Sequence, residues 1–322
     1  MQARFAAVLL SLALATAACS GASSSPAPSG FPGASGSTAC AKAPAVTTQP
    51  QGWGVPSTQP AVIPVLINPA GELTCGANRL LFSFLDTRNT PIGSPDRKAS
   101  VALYNLARDP AKPVLSVDGT FVWAIAGSVG IYVATASFPE AGTWGAEFST
   151  TLAGKTETVR LSFDVSASTG VVRAGQKAPA SRTLTGDPVK ISTDSKPDVR
   201  LYKTSIDQAI ARKEPFLVAF ATPKFCTSGQ CGPTLERVKP YIDTYPTVTF
   251  INVEPYELKA DGGGQLQPVL TGGQLTPTKA TTEWGLLSEP WIFVVNKDGI
   301  VTASLALIFG DAELTAALDA VK

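Results

Sequence analysis

The stretch that decides the fold is FLVAFATPKFCTSGQCGP, which runs from Phe216 to Pro233. Its first five residues are all apolar, and an unbroken apolar run of this length is typical of a strand buried on both faces. Pro233 favours the first turn of a helix, where its missing N–H would have no partner. Cys226 and Cys231 lie between strand and helix, and a helix N-terminus favours thiolate. This stretch is the part of the sequence that points to chemistry.

Composition excludes several classes of function. The 322 residues leave room for two domains, since a single domain usually takes roughly 100–200 residues. The 26 basic and 25 acidic side chains nearly balance, so no nucleic-acid partner is expected. The chain has no histidine, which excludes a Ser-His-Asp triad and a Cys-His nucleophile pair. Two thiolates without imidazole offer too few soft ligands for copper or zinc, so no metal site is expected.

Residues 1–19 have the pattern of an export signal. Arg4 precedes a short apolar run that is too short to stay in a bilayer as a membrane span. The run ends in TAACS, which resembles the bacterial lipobox, with Thr16 in the place of the usual leucine. The resemblance implies that Cys19 is lipidated and becomes the mature N-terminus, anchored on the outer face of the cell membrane. The alternative is ordinary signal cleavage, with Cys19 removed or left free.

Residues 20–59 are predicted to form a tether. As far as about Ser37 they are uncharged and rich in Ser, Gly, Ala and Pro, and such a segment cannot bury enough apolar surface to fold. A flexible spacer after a lipid would hold the folded part of the chain off the membrane. Lipidation of Cys19 would leave four of the five cysteines in a compartment where disulfides persist.

Residues 60–168 are predicted to form an antiparallel β-sandwich. Short segments with alternating apolar residues are separated by turn residues, and about seven such strands in about a hundred residues are typical of an immunoglobulin-like domain. The sequence from Phe138 to Trp144 also resembles a hairpin of small secreted immunoglobulin-like domains. The predicted strands are Ala61–Ile67, Arg79–Asp86, Ala99–Asn105, Gly119–Trp123, Gly130–Phe138, Thr143–Thr151 and Thr156–Val165.

Cys40 and Cys75 are predicted to form a structural disulfide. Cys75 precedes a predicted strand of the sandwich, and Cys40 lies in the incoming segment. A bridge between them would fasten this segment to the sandwich and stabilise the fold by on the order of 2–4 kcal/mol. Four cysteines formally allow three pairings. Residues 169–198 then form a connector with few apolar side chains, whose order the composition does not decide.

Residues 199–322 are predicted to form an α/β domain. Apolar runs that suit strands alternate with segments of helical spacing, and the dipeptide Asp298-Gly299 favours a hairpin turn. The main predicted elements are a strand at Phe216–Phe220, a helix from Pro233 to about Thr244, strands at Thr247–Val253, Trp291–Asn296 and Ile300–Phe309, and a closing helix from Asp311 to Val321.

This order of elements, with two cysteines after the first strand, a helix containing Pro240 and a proline directly before a later strand, resembles a thioredoxin-like domain. The resemblance implies that Pro290 follows a cis peptide bond and faces the cysteines. It also implies that the backbone around Pro290 receives a substrate polypeptide, with Glu289 as its variable neighbour.

The sequence departs from that family in three respects. Four residues, rather than two, separate Cys226 from Cys231, so a bridge needs a non-helical loop, which Gly229 can supply. Phe225 stands where the family usually has tryptophan. Ala219 stands where the family has a buried acid, so this strand supplies no group for proton transfer.

Two function classes follow from these observations. In the first, the protein is a thiol–disulfide oxidoreductase that acts on exported thiol or disulfide proteins, or on a redox partner at the membrane surface, and needs no cofactor. In the second, it is a binding or scaffold lipoprotein in which the Cys226–Cys231 bridge is structural. The sequence leaves the nucleophile open: the family position favours Cys226, and closeness to the helix start favours Cys231.

Overall fold

The computed structural model describes residues 40–322, in which strands predominate over helices. The predicted signal at 1–19, the lipidation site at Cys19 and the first part of the tether lie outside the described residues. No helix of the described part is long and apolar enough to cross a membrane.

The N-terminal sandwich consists of two four-stranded antiparallel sheets, with strand orders β1-β2-β6-β5 and β4-β3-β7-β8. The seven predicted strands are present with ends shifted by a few residues, and the short edge strand β4 was not predicted. The strands are β1 (Ile63–Leu66), β2 (Gly76–Leu85), β3 (Lys98–Asn105), β4 (Leu115–Asp118), β5 (Thr120–Ile125), β6 (Val129–Phe138), β7 (Gly142–Leu152) and β8 (Lys155–Val165).

The core of the sandwich forms because successive side chains of a strand point to opposite faces. Phe82, Tyr132, Trp144 and Phe148 come from both sheets and are almost completely buried in one cluster. The rings of Phe82 and Phe148 have centroids 5.1 Å apart, and those of Phe82 and Tyr132 are 5.6 Å apart. Aromatic burial of this extent is the main source of stability in such a core.

Residues 40–59 are held on the sandwich at Cys40 and Trp53, although most of their side chains are exposed, so the predicted tether does not run freely as far as residue 59. Trp53 is 2% exposed, packs with its ring on Tyr104 and donates its indole N–H to the Pro110 carbonyl at 3.0 Å. The Arg160 guanidinium covers the other part of the Trp53 ring, 4.8 Å from its centroid. The disulfide between Cys40 and Cys75 is present, as predicted, and fastens the start of this segment.

The rest of the chain forms a four-stranded mixed sheet with the order β10-β9-β15-β16, two small hairpins and several helices. In the mixed sheet β9 and β10 are parallel, whereas β15 runs antiparallel to both β9 and β16. The elements are α1 (Pro188–Ile191), a 3-10 turn (Val199–Tyr202), α2 (Ile206–Ala211), β9 (Phe216–Phe220), α3 (Cys231–Thr244), β10 (Thr249–Val253), β11 (Leu258–Ala260), β12 (Leu266–Pro268), β13 (Leu270–Thr271), β14 (Gln274–Leu275), α4 (Lys279–Glu283), β15 (Trp291–Val295), β16 (Val301–Ala306) and α5 (Asp311–Asp319).

Both faces of the mixed sheet are covered, which explains why β9 is apolar at all five positions. Leu217 and Ala219 point into a cluster with α3 and α5. Phe216, Val218 and Phe220 point to the opposite side, into a second cluster. Every residue of β9 is therefore completely buried.

The second cluster joins the mixed sheet to the N-terminal sandwich, and we call it the shared core. It contains Phe220, Trp284 and Phe293 together with Leu81 of β2 and Ile131 of β6. Hence β2, β5 and β6 contribute buried residues to the cluster that they share with the mixed sheet, in addition to those in the core of the sandwich.

The predicted connector contributes to this junction. Val171 and Val172 are buried in the shared core. A polar contact reinforces it, since Arg79 of β2 donates to both carboxylate oxygens of Glu313, at 2.7 and 3.0 Å, and to the Ile308 carbonyl at 2.8 Å. The described residues thus form one continuous packed body.

Candidate functional site

The cysteine pair lies where β9 meets α3. The loop from Ala221 to Gln230 carries Cys226, and Cys231 is the first residue of α3, two residues before the predicted start at Pro233. The two sulfurs form a disulfide across Cα atoms 6.0 Å apart. Gly229 has a φ of +71°, a conformation that L side chains rarely adopt. The loop is therefore non-helical between the cysteines, as the five-residue spacing predicted.

The two sulfurs differ in access. Cys226 is half-buried, whereas Cys231 is completely buried in the cluster beneath α3. The backbone N–H of Cys231 donates to Cys226 Sγ at 3.2 Å. A sulfur that receives an N–H from the first turn of a helix is stabilised as a thiolate. Cys226 thus combines access from solvent with stabilisation of the negative charge.

Pro290 lies opposite the cysteine loop, directly before β15. The Glu289–Pro290 peptide bond is cis, as the resemblance implied. The Ser228 hydroxyl donates to the Glu289 carbonyl at 2.8 Å, and Ser228 Oγ lies 3.3 Å from Cys226 Sγ. The cis bond and the loop of Cys226 are therefore in direct contact.

The Glu289 side chain points into the site. Residue 289 is only 2% exposed. A carboxylate oxygen of Glu289 and the sulfurs of Cys226 and Cys231 all lie within 4.8 Å of one another. The backbone N–H and the hydroxyl of Thr227 both donate to Glu289 Oε1 at 2.7 Å. The sequence assigned Glu289 to substrate contact through its position beside Pro290; the structure places its carboxylate against the cysteine pair.

Tyr256 completes the site and was missed in the sequence, where its segment is Gly- and Pro-rich. Its hydroxyl donates to Glu289 Oε2 at 2.5 Å. Burial, together with the hydrogen bond to Glu289, raises the pKa of the Tyr256 phenol, so the phenol stays protonated and remains a donor. The pairing of the strands could have indicated Tyr256. β9 and β10 are parallel, with Phe220 beside Val253, so the residues that follow the two strands meet at one edge of the sheet.

A second buried acid, Glu254, lies next along the same edge. It receives the Thr193 N–H at 2.6 Å and the Thr193 hydroxyl at 2.8 Å, and burial raises the pKa of its carboxyl. Its contacts are separate from those of Glu289, which makes it a suitable control for experiments on Glu289.

The site has limited capacity for a metal ion. Cys226, Cys231 and Glu289 form the single group of three possible ligands within reach of one another in residues 40–322. With the disulfide closed, its sulfurs are not thiolate donors, and a structural zinc site takes four ligands. The arrangement suits two-electron chemistry of sulfur, in which a disulfide opens to two thiols and closes again.

The comparisons with known proteins assign no family. No protein-family model matches the chain, and no curated protein matches it significantly.

Proposed function

We propose that the protein is a membrane-tethered thiol–disulfide oxidoreductase that acts on exported proteins through Cys226 and Cys231. The observation that carries the proposal is the asymmetry of the pair: Cys226 is accessible and receives a helix N-terminal N–H, while Cys231 is buried behind it. A purely structural bridge needs neither feature.

The arrangement of the C-terminal elements supports a thioredoxin-like domain as the carrier of this activity. A parallel strand pair connected through α3, followed by the hairpin of β15 and β16 and by α5, is the order that the resemblance implies. The cis bond before Pro290 lies opposite the cysteines, where that family binds the substrate backbone. The N-terminal sandwich would be the immunoglobulin-like partner of this domain.

The roles of the cysteines follow from their burial. Cys226 attacks the substrate disulfide, because a substrate of protein size reaches the half-buried sulfur. Cys231 resolves the mixed disulfide from beneath, because its sulfur bonds to Cys226 without leaving the core. In the sequence the family position favoured Cys226, and closeness to the helix start favoured Cys231; the N–H of residue 231 gives the second advantage to Cys226 as well.

The reduction potential of the Cys226–Cys231 pair tests the activity. We expect a value between roughly −120 and −270 mV, the range of working thiol–disulfide enzymes. Equilibration of the detergent-purified protein against glutathione or dithiothreitol, followed by alkylation and mass spectrometry, measures it. The Cys40–Cys75 bridge in the same molecule is the control and should resist reduction across this range. A value for Cys226–Cys231 below about −300 mV would instead support the scaffold lipoprotein with a structural bridge.

The tether is the second part of the proposal. We expect Cys19→Ala to move the protein from the membrane fraction to the soluble fraction, because the lipid is the proposed anchor. Fractionation and immunoblotting measure the distribution, with Ser24→Ala as the matched control in the same segment. Retention of Cys19→Ala in the membrane fraction would contradict lipid anchoring.

A further inference from the structure

A buried carboxylate without a cationic partner lies beside the cysteine pair. Glu289 is 2% exposed, yet no Lys or Arg in residues 40–322 forms an ion pair with it. Burial of a charge without a counter-charge is costly and needs compensation by hydrogen bonds. A side chain held in this way at a reactive centre suggests a chemical role.

Hydrogen bonds hold both oxygens of this carboxylate as acceptors. Thr227 donates twice to Oε1, and Tyr256 donates once to Oε2. All three are donors toward Glu289, the arrangement that an ionised carboxylate requires. The carboxylate is thereby fixed in place, with one of its oxygens within 4.8 Å of both sulfurs.

A proton acceptor at the buried cysteine would assist thiol–disulfide exchange. The thiolate is the nucleophile, and burial in apolar surroundings disfavours it. Cys231 is completely buried in the same cluster as Ala219, whose methyl group can accept no proton. Glu254, the other buried acid at this edge, binds Thr193 through Oε1 and does not belong to the group that Glu289 forms with the two sulfurs in residues 40–322.

We propose that Glu289 accepts the proton of the Cys231 thiol during exchange, an inference that rests on the proposed oxidoreductase function. In the reduced protein, the Cys226 thiolate attacks a substrate disulfide; one substrate thiolate leaves and takes a proton from solvent. Cys231 then passes its proton to Glu289, and the resulting thiolate attacks Cys226 Sγ. The mixed disulfide breaks, the Cys226–Cys231 bond forms, and the second substrate thiolate takes the proton from Glu289. Two electrons pass from the protein to the substrate.

The titratable groups that face Glu289 are the two cysteines and Tyr256. Tyr256 comes from the segment after β10 and keeps its proton, so it orients the carboxylate and does not compete for the proton. Lys224, in the loop of Cys226, donates instead to the Leu266 carbonyl at 3.1 Å. Neither group therefore offers the Cys231 proton another acceptor beside Glu289.

The experiment follows a single turnover of the reduced protein with 5,5′-dithiobis(2-nitrobenzoate). Attack by Cys226 releases the first thionitrobenzoate, and resolution by Cys231 releases the second. In Glu289→Gln we expect the second release to slow by roughly 10²-fold near pH 6–7, the scale of general base catalysis. The difference should shrink as the pH rises, because more of the Cys231 thiol then ionises without help from the carboxylate. Glu254→Gln is the matched control and should keep both rates.

The outcomes separate this inference from the proposed function. A wild-type protein that releases no second thionitrobenzoate overturns both. If the wild type is active, two results with Glu289→Gln overturn the proton-transfer role alone. In the first, the variant keeps the wild-type pH profile; in the second, its second release is slowed equally at every pH. If Glu289→Gln fails to fold, Tyr256→Phe keeps the carboxylate and removes one donor to its ionised form. Its second release should slow relative to its first, because the carboxylate loses the donor that holds Oε2, and an unchanged ratio of the two rates contradicts the role.

Discussion

Replacement of Cys231 by serine is expected to arrest the protein as a mixed disulfide with the exported proteins that we propose as its substrates. Cys226 stays accessible in this variant, and its hydrogen bond from the backbone N–H of residue 231 does not depend on the side chain. The resolving thiol is missing, so the bond to the substrate persists. Non-reducing electrophoresis and mass spectrometry of the adducts measure the result, which should be near all-or-none.

Cys226→Ser is the matched control for this experiment. It leaves one thiol in the pair, but that thiol is the completely buried Cys231, so we expect no adducts. Equal absence of adducts in both variants would contradict the proposed activity. Adducts in Cys226→Ser but not in Cys231→Ser would show that Cys231 is the nucleophile and Cys226 the resolving cysteine.

Replacement of Trp284 by alanine is expected to lower the free energy of unfolding by about 3–5 kcal/mol, the usual cost of deleting a large buried aromatic side chain. Trp284 follows α4 and is completely buried in the shared core. Its ring centroid lies 4.6 Å from that of Phe293 and 5.5 Å from that of Phe220. Equilibrium unfolding in urea measures the loss.

The same experiment tests whether the junction is energetically continuous. The remaining tryptophans include Trp144 in the sandwich core. The unfolding transition followed by their fluorescence should shift to a lower urea concentration, together with the transition followed by far-UV circular dichroism. Trp284→Phe is the control: it keeps a ring and removes an indole N–H that has no hydrogen-bond partner in the described residues, so we expect a loss of only about 1–2 kcal/mol. Two separate transitions, with the sandwich signal unchanged in Trp284→Ala, would contradict the shared core.

Local patterns were sufficient to predict most of the elements. The strand Phe216–Phe220 has the predicted bounds. In a sheet covered on both faces every residue of a central strand is buried, and the five successive apolar residues fit this environment. The edge strand Leu115–Asp118 was missed: it has four residues, alternately half-buried and exposed. A short strand at the edge of a sheet carries little hydrophobic signal, and its pairing with β3 determines it.

The connector shows what local patterns omit. Val171 and Val172 are two apolar residues in a polar segment, too few to define a helix or a strand. They are buried because the shared core brings together residues that are far apart in the sequence. The same holds for residues 131–135, whose alternating pattern indicated a strand but not which surface would cover its outer side.

The candidate site was predicted in part for the same reason. The loop of Cys226 and Cys231 and the cis bond before Pro290 lie within recognisable local sequence. The contact of Glu289 with the sulfurs and with Tyr256 joins three segments, and nothing in the residues around Tyr256 distinguishes it from other tyrosines. Prediction of this contact requires the parallel pairing of β9 with β10.

The shared core also limits how this chain can be divided. A gene fragment that encoded the cysteine-bearing half alone would expose Phe220, Trp284 and Phe293, now covered from the side of the sandwich. The other half alone would expose Leu81 and Ile131. Contiguous apolar surfaces of this kind promote association. Recombination that separates the two halves must therefore supply each of them with another apolar surface to pack against.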